Sequence, residues 1–387
     1  MTPAARVQAS IEILDDILSG APVEKALTGW ARRSRFAGSK DRAAIRDHVF
    51  DALRCRRSFA AYGGSETGRG LMIGAVRSAE GNLADVFTGA RYAPAQVTEA
   101  EKGRAFQTDA ERLDIPEWLW PSFQAALKDE AEPAANSLQS RAPVHLRVNL
   151  AKADLPQAMQ SLSDDGIQTH PHPACDTALE VTEGARRISH SQAYANGIVE
   201  LQDAASQAVI AALELRPAMR VLDYCAGGGG KTLALAARAQ DVQVFAHDAN
   251  PDRMRDLPAR TKRAGAEVTI LTTDQVADQA PFDVVLIDVP CSGSGSWRRA
   301  PAGKWALTPD GLDTLTQTQA SIMRNAAPLV AEKGVFVYAT CSMLTAENDG
   351  IVDDFLSRHP SWHCGFRKTW LVSEGTDGFY SAHLTRD

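Results

Sequence analysis

Residues 220–339 alternate short apolar runs with segments of helical spacing, and this alternation leaves few folds open. The runs fall at 221–224, 242–247, 267–271, 282–288 and 334–339. They are predominantly apolar, as strands covered on both faces tend to be. The segments between them carry apolar residues three and four apart, clearest at 232–239 and 312–330. Strands alternating with helices predict an α/β fold, a Rossmann-like parallel sheet covered on both faces. Ligands of such sheets bind beyond the carboxyl ends of the strands. The residues just past each run are therefore where chemistry is expected.

The first third of the chain has another character. Val7, Ile11, Leu14 and Leu18 recur at helical spacing and form one buried stripe, which Gly20 and Pro22 end. Ser39 is the expected N-cap of a helix through Ile45, Val49 and Leu53. Helical spacing returns at 113–128, and strand pattern is scarce before about residue 140. Residues 1–138 thus read as an all-helical domain, with a linker at 134–143. Strand patterns at 145–149 and 198–201, helical patterns at 155–162 and 208–213, and a capping Asp203 make 139–215 a small α+β segment. The alternating region, 216–387, is the third domain. A chain of 387 residues accommodates this division.

The net charge of −7 argues on its face against a nucleic-acid partner, but it hides a local excess. Between Arg32 and Arg57 stand nine basic residues, Arg32, Arg33, Arg35, Lys40, Arg42, Arg46, Arg54, Arg56 and Arg57, against three acids. That window is either a phosphate-binding footprint or an ordinary solvated helix face. The six cysteines are scattered and form no C-x-x-C pair, so neither a zinc site nor a disulfide framework is expected. His170, His172, His190 and His247 have no metal-ligand spacing, and no metal is expected. The early acids Glu12, Asp15 and Asp16 leave no secretory apolar region, and no apolar run is long enough to span a bilayer. A cytoplasmic monomer is the default expectation.

The first strand of the alternating region runs into Cys225, Ala226, Gly227, Gly228, Gly229, Gly230, Lys231 and Thr232, which open a helix. Glycines let the backbone turn sharply and approach a ligand closely. A Walker loop would need Gly where Cys225 stands, and the dinucleotide fingerprint would need its last Gly where Thr232 stands. Asp223, Asp248 and Asp274 fall at the ends of three successive strands. Each alone reads equally as a cap or turn residue. In register, they suit a ribose-bearing cofactor without pyrophosphate, Asp248 accepting from the ribose hydroxyls and Asp274 from an adenine amino group.

The fourth strand delivers Asp288-Val-Pro-Cys291-Ser, and the fifth delivers Thr340-Cys341-Ser. Both cysteines leave strand ends among small polar residues, which favours chemistry over the buried structural role usual for a lone cysteine. These motifs resemble the RsmB/Sun-type family of RNA cytosine-C5 methyltransferases. The resemblance extends to Arg147-Val-Asn149, Gln202-Asp203 with Gln207, Arg299 followed by Trp305, and Asp377-Gly-Phe379. The helical start, with Gly38-Ser-Lys-Asp-Arg42, resembles that family's NusB-like RNA-binding domain. One departure is Gly228, where the family usually has Pro.

The resemblance implies a class I fold that uses S-adenosyl-L-methionine to methylate carbon 5 of a cytosine in RNA, with 16S ribosomal RNA the expected substrate. It implies that Cys341 is the nucleophile, Cys291 assists release, Asp288 holds the base edge and Lys231 lies near the pocket. Arg253 joins the glycine loop and the aspartates, Asp288 among them, in the implied cofactor set. Carbon 5 of cytosine is a weak nucleophile, and thiolate attack at carbon 6 converts the ring to an enamine that can accept the methyl group. Arg32, Arg33, Arg35, Lys40, Arg42, Arg147, Arg298 and Arg299 are the expected RNA contacts, with Lys304 beside them. Trp297 and Trp305 suit base stacking or core packing equally. Three other readings remain: methylation of transfer RNA in place of ribosomal RNA, a DNA cytosine methyltransferase with Cys291 as nucleophile, and a non-catalytic RNA-binding factor that keeps the fold.

Overall fold

A computed structural model describes residues 1–238 and 241–386. Ala239, the expected end of one helix, lies outside the described residues. Two compact units emerge, Met1–Arg141 with Trp297–Ala306, and Ala142–Ser296 with Leu307–Asp387. No helix among the described residues is long and apolar enough to cross a membrane.

In the first unit, helices Pro3–Leu18, Val23–Arg33, Ser39–Arg54, Arg56–Gly63 and Gly68–Ser78 surround Val7, Leu14, Trp30, Ile45, Val49, Leu53 and Leu71. Thr2 caps the first helix by accepting from the Ala5 N–H. Gly38, one residue before the expected Ser39, stands at the N-cap of the third. The expected linker is partly helix: Ala131–Leu138 buries Ala134, Ala135 and Leu138. Its Pro133 sits in the first turn, where a missing N–H costs nothing. Segment 297–306 packs with these helices. Trp305 Nε1 donates to the Leu53 carbonyl at 2.7 Å, Lys304 Nζ to that of Arg54 at 2.9 Å, and Arg54 Nε to that of Arg298 at 2.6 Å.

The second unit holds two sheets. The smaller has strands β1 (Val144–Val148), β2 (Gln168–Pro171), β3 (Ala178–Glu183) and β4 (Val199–Leu201), ordered β2-β3-β1-β4 and antiparallel throughout. One face buries Leu146, Val148, Leu179 and Val181 with Ala158 and Leu162 of helix Leu155–Asp164. The other carries His145, Arg147, Ala178 and Glu180, by the alternation of side chains along strands.

The larger sheet has β5 (Arg220–Asp223), β6 (Gln243–Ala246), β7 (Val268–Ile270), β8 (Phe282–Asp288), β9 (Val330–Thr340), β10 (Trp362–Trp370) and β11 (Phe379–Arg386). Its order is β10-β11-β9-β8-β5-β6-β7. Strands β5 to β9 are parallel, and β10 and β11 add an antiparallel edge. Leu222, Val285, Ile287, Phe336 and Tyr338 pack on one face, and Val221, Val284, Leu286, Val337 and Ala339 on the other. This is the Rossmann-like arrangement that the alternation predicts. The crevice lies at the carboxyl ends of β5 and β8, where the connections diverge.

Candidate active site

Strands β8 and β9 run side by side with Asp288 opposite Ala339. Cys291 and Cys341 lie three and two residues further on. Their sulfurs come within 3.4 Å, and both residues are half-buried. Parallel neighbours of matched register are what bring two residues 50 apart in sequence into contact.

The loops that carry them share one acceptor. Glu347, fully buried, accepts from the Ser292 N–H at 2.7 Å and from the Ser292 and Ser342 hydroxyls at 2.5 Å each. Gln319 Nε2 donates to it at 2.9 Å and to the Pro290 carbonyl at 3.0 Å. Each serine directly follows a cysteine, so this carboxylate fixes both thiol loops at once. Sequence reasoning missed Glu347. The signal available was the serine repeated after each cysteine, which implies a common partner. The loops are tied further by Gly295, whose N–H donates to the Cys341 carbonyl at 2.9 Å and whose carbonyl accepts from the Gly378 N–H at 2.9 Å. A Cβ on Gly295 would lie 2.0 Å from the Gly378 oxygen.

The thiols are not equivalent. The hydrogen bond from Cys291 holds Cys341 below the usual thiol range, against burial and Asp288 and with help from the Lys231 ammonium. The same contact raises Cys291, with burial and the Glu347 carboxylate adding to it. Thiolate therefore forms at Cys341 first. Lys231 Nζ donates to Asp288 Oδ2 at 2.6 Å and stands 4.8 Å from the centre of the Phe379 ring. Burial pulls the Lys231 ammonium down, but Asp288 outweighs it, so the group stays charged.

The glycine loop follows β5. Gly227 and Gly229 take left-handed backbone (φ 52° and 81°), and the Gly227 N–H donates to Asp248 Oδ2 at 2.9 Å. Asp248 Oδ1 accepts from the Asn250 N–H, and Arg253 Nη1 lies 3.1 Å from Oδ2 with over half its side chain in solvent. The Ala226 N–H donates to the His247 carbonyl at 2.8 Å. Arg260 donates to the Gly228 carbonyl and Arg147 to that of Gly230, so two guanidiniums hold the loop. Asp223 Oδ2 accepts from Thr232 at 2.7 Å, while its other oxygen has no partner and burial pushes the carboxyl up to about 7. Burial likewise pushes the half-buried Cys225 thiol up. Asp274 stands in the exposed first turn of helix Thr273–Gln279, beyond the strand end expected of it.

Several expected RNA contacts are elsewhere. Arg147 is buried and its Nη1 donates to Gln202 and to the Gly230 carbonyl, so it braces the glycine loop. Arg298 and Lys304 are buried in the helical unit, where Lys304 serves the Arg54 carbonyl and burial pushes it down to about 8. Arg299 is exposed. Trp297 is core, 1% exposed. Within the basic window Arg54 is buried, and Arg46, Arg56 and Arg57 pair with Glu24, Glu66 and Glu117. Arg32, Arg33, Arg35, Lys40 and Arg42 are exposed around the turn between helices Val23–Arg33 and Ser39–Arg54.

Comparison with known proteins returns two family matches. Residues 210–385 match the 16S rRNA methyltransferase RsmB/F family, and residues 115–186 match its ferredoxin-like domain. Among curated proteins, the ribosomal RNA small subunit methyltransferase B of Photorhabdus laumondii is 30% identical over 284 residues, covering 70% of this chain and 66% of that protein. Its counterpart from Salmonella arizonae is 32% identical over 260 residues, covering 66% and 60%. The chain thus spans less than two thirds of the length of these relatives. Among solved structures, PH0851 superposes with TM-score 0.76 at 23% identity, covering 100% of this chain and 99% of that one. NSun6 from Pyrococcus horikoshii gives 0.61 at 17% identity, covering 70% and 98%. These structural likenesses establish the fold.

Proposed function

Because this chain belongs to the RsmB/F methyltransferase family, we propose that it methylates carbon 5 of a cytosine in RNA, with 16S ribosomal RNA the expected substrate. The methyl donor is S-adenosyl-L-methionine, which when bound supplies an electrophilic methyl group on a sulfonium. The residues present suit it. Asp248 offers a carboxylate to ribose hydroxyls beside the solvent-exposed Arg253 side chain. The glycine loop offers bare backbone, and the absence of a phosphate-binding fingerprint matches a cofactor without phosphate.

Cys341 is the nucleophile. Its thiolate forms a bond to carbon 6, and the ring electron pair moves to carbon 5, which takes the methyl group. Lys231 keeps that thiolate available, and Asp288 holds the cytosine edge. Ring recovery requires the carbon 5 proton to leave and the bond to Cys341 to break. Cys291, whose sulfur lies 3.4 Å away, assists that step. The target base leaves any stack to enter the crevice. The helical unit, NusB-like in this reading, holds RNA phosphates with Arg32, Arg33, Arg35, Lys40 and Arg42.

The observation that carries the proposal is the pair of touching thiols beside the Lys231–Asp288 ion pair. Its test is methyl transfer to RNA from cells lacking the gene, using the wild type, Cys341→Ala and Cys291→Ala. Cys341→Ala abolishes transfer, and Cys291→Ala accumulates a covalent protein–RNA adduct that survives denaturation. Swapped phenotypes assign the nucleophile to Cys291, as the DNA-enzyme reading has it, and normal turnover by Cys341→Ala refutes the mechanism. Bisulfite sequencing of the same RNA identifies the cytosine.

A further inference from the structure

The smaller sheet buries a polar cluster that methyl transfer does not use. His145 on β1 stands directly opposite Glu180 on β3. On the other side of β3, Glu180 faces His170 of β2, and His172 follows two residues later with its N–H on the Ala178 carbonyl. Side chains alternate along strands, so His145, Glu180 and His172 share one face. Their ligand atoms all lie within 4.8 Å of one another. The two imidazole rings are 4.8 Å apart, centre to centre.

His145 gives this cluster its chemical meaning. Its side chain is fully buried, yet Nε2 has no hydrogen-bond partner, and the nearest carboxylate oxygen, on Glu180, is 4.0 Å away. A buried polar atom without a partner is costly and uncommon. The other ring nitrogen, Nδ1, is 3.0 Å from Asp203 Oδ2. Asp203 is itself held, accepting from the Ala205 N–H through Oδ1 and from the Asp377 N–H through Oδ2. The Ala204 N–H also approaches Nδ1, at 3.3 Å, but the shorter contact to a carboxylate requires a proton on Nδ1 and leaves a lone pair on Nε2, on the side of Glu180. Carboxylate–histidine pairing of this kind supports metal-ligating histidines generally. The Ala174 N–H approaches the other histidine, donating to His172 Nδ1 at 3.2 Å, so ligation through His172 Nε2 requires that contact to break and the ring proton to move to Nδ1.

We propose that His145, His172 and Glu180 form a divalent-metal site of zinc type, with Asp203 orienting His145 from behind. Two imidazoles and one carboxylate are a common zinc donor set, and a fourth position stays open to water. Bonds of about 2.1 Å place tetrahedral ligands roughly 3.4 Å apart, so the 4.0 Å His145–Glu180 gap must close, as must separations in the set that reach up to 4.8 Å. Glu180, 30% exposed, is free to rotate and close it. Bound there, the metal fastens β1, β2 and β3 together. Through Asp203 and the Asp377 N–H it also steadies the loop that leads to Phe379, the ring beside Lys231.

The test uses the full-length chain, stripped with a chelator and titrated with Zn²⁺ against a chromophoric competitor. The same titration is run on His172→Asn, Glu180→Gln, Asp203→Asn and a Cys291→Ser/Cys341→Ser variant, with circular dichroism confirming the fold of each. The expected result is one tight equivalent in the wild type that persists in the double serine variant. His172→Asn and Glu180→Gln weaken it at least tenfold, and Asp203→Asn weakens it about 10- to 100-fold. No tight zinc in the wild type, undiminished affinity in a folded His172→Asn or Glu180→Gln protein, or loss of zinc with the two serines, which would put the metal on the thiols, overturns the proposal.

Discussion

Lys231 serves two partners, and their separation is measurable. Its ammonium pairs with Asp288 at 2.6 Å and also lowers the Cys341 thiol. Thiolate is the reactive form, so activity falls as pH drops through the Cys341 pKa. Lys231→Met removes a cation that favours thiolate and moves this acidic limb of kcat/KM to higher pH. A shift of about one unit costs roughly tenfold at neutral pH, and an unmoved limb would mean that Lys231 acts on the base alone. Asp223 titrates with the opposite consequence. Burial raises its folded pKa to about 7 from the ordinary 3.8. The folded state therefore holds this proton more tightly than the unfolded chain does. The resulting stability is full below about pH 4 and is lost as pH rises through about 7. Asn at this position still accepts from Thr232 and never ionises. Asp223→Asn thus gains on the order of 2–4 kcal/mol relative to wild type at pH 8, and the gain disappears toward pH 4. Urea unfolding at the two pH values measures it.

Segment 297–306 shows how an element's environment escapes local pattern. Its sequence follows a catalytic motif and carries Arg298, Arg299 and Lys304, so it reads as a charged loop at the site mouth. Instead, Trp297 and Lys304 are 1% exposed, Arg298 is buried too and of the cations Arg299 alone is exposed, and backbone carbonyls of helix Ser39–Arg54 accept from Lys304 and Trp305. Trp297→Ala accordingly destabilises the helical unit by about 3–5 kcal/mol, read as an earlier unfolding transition of the full chain. Elements that are legible alone were read closely. Strand β8 was expected at 282–288 and runs Phe282–Asp288, because a continuous apolar run leaves one solution. Strands β2, β3, β10 and β11 lie where no strand is expected from the sequence. β2 is almost wholly exposed and β10 is largely so, and neither offers an apolar run to find. The thiol pair was legible because each cysteine ends a strand. Glu347 was not, since its partners lie up to 55 residues away. The ligands of the proposed metal site come from separate strands, so no spacing rule detects them.

For the molecule as a whole, an acidic balance and the proposed RNA substrate are reconciled by where the exposed cations lie. Arg46, Arg56 and Arg57 serve carboxylates of their own unit, whereas Arg32, Arg33 and Arg35 are exposed in a short stretch beside Lys40 and Arg42. Replacing Arg32, Arg33 and Arg35 by Ala lowers the slope of log K against log salt by about 2 for single-stranded RNA, if each meets one phosphate. Replacing Arg46, Arg56 and Arg57 leaves that slope where it was. Affinity measured between 50 and 200 mM salt, the order of range over which such slopes show, distinguishes the two sets. The meeting of Gly295 and Gly378 bears on how such a chain can vary. A Cβ on Gly295 would meet Gly378 backbone at 2.0 Å, and one on Gly378 would meet the Met343 side chain at 2.6 Å and Gly295 Cα at 2.8 Å, so a swap at one glycine cannot be rescued by a change at the other. A library of tolerated replacements would show two blank columns there, and descendants of this sequence keep both glycines whatever else around them drifts.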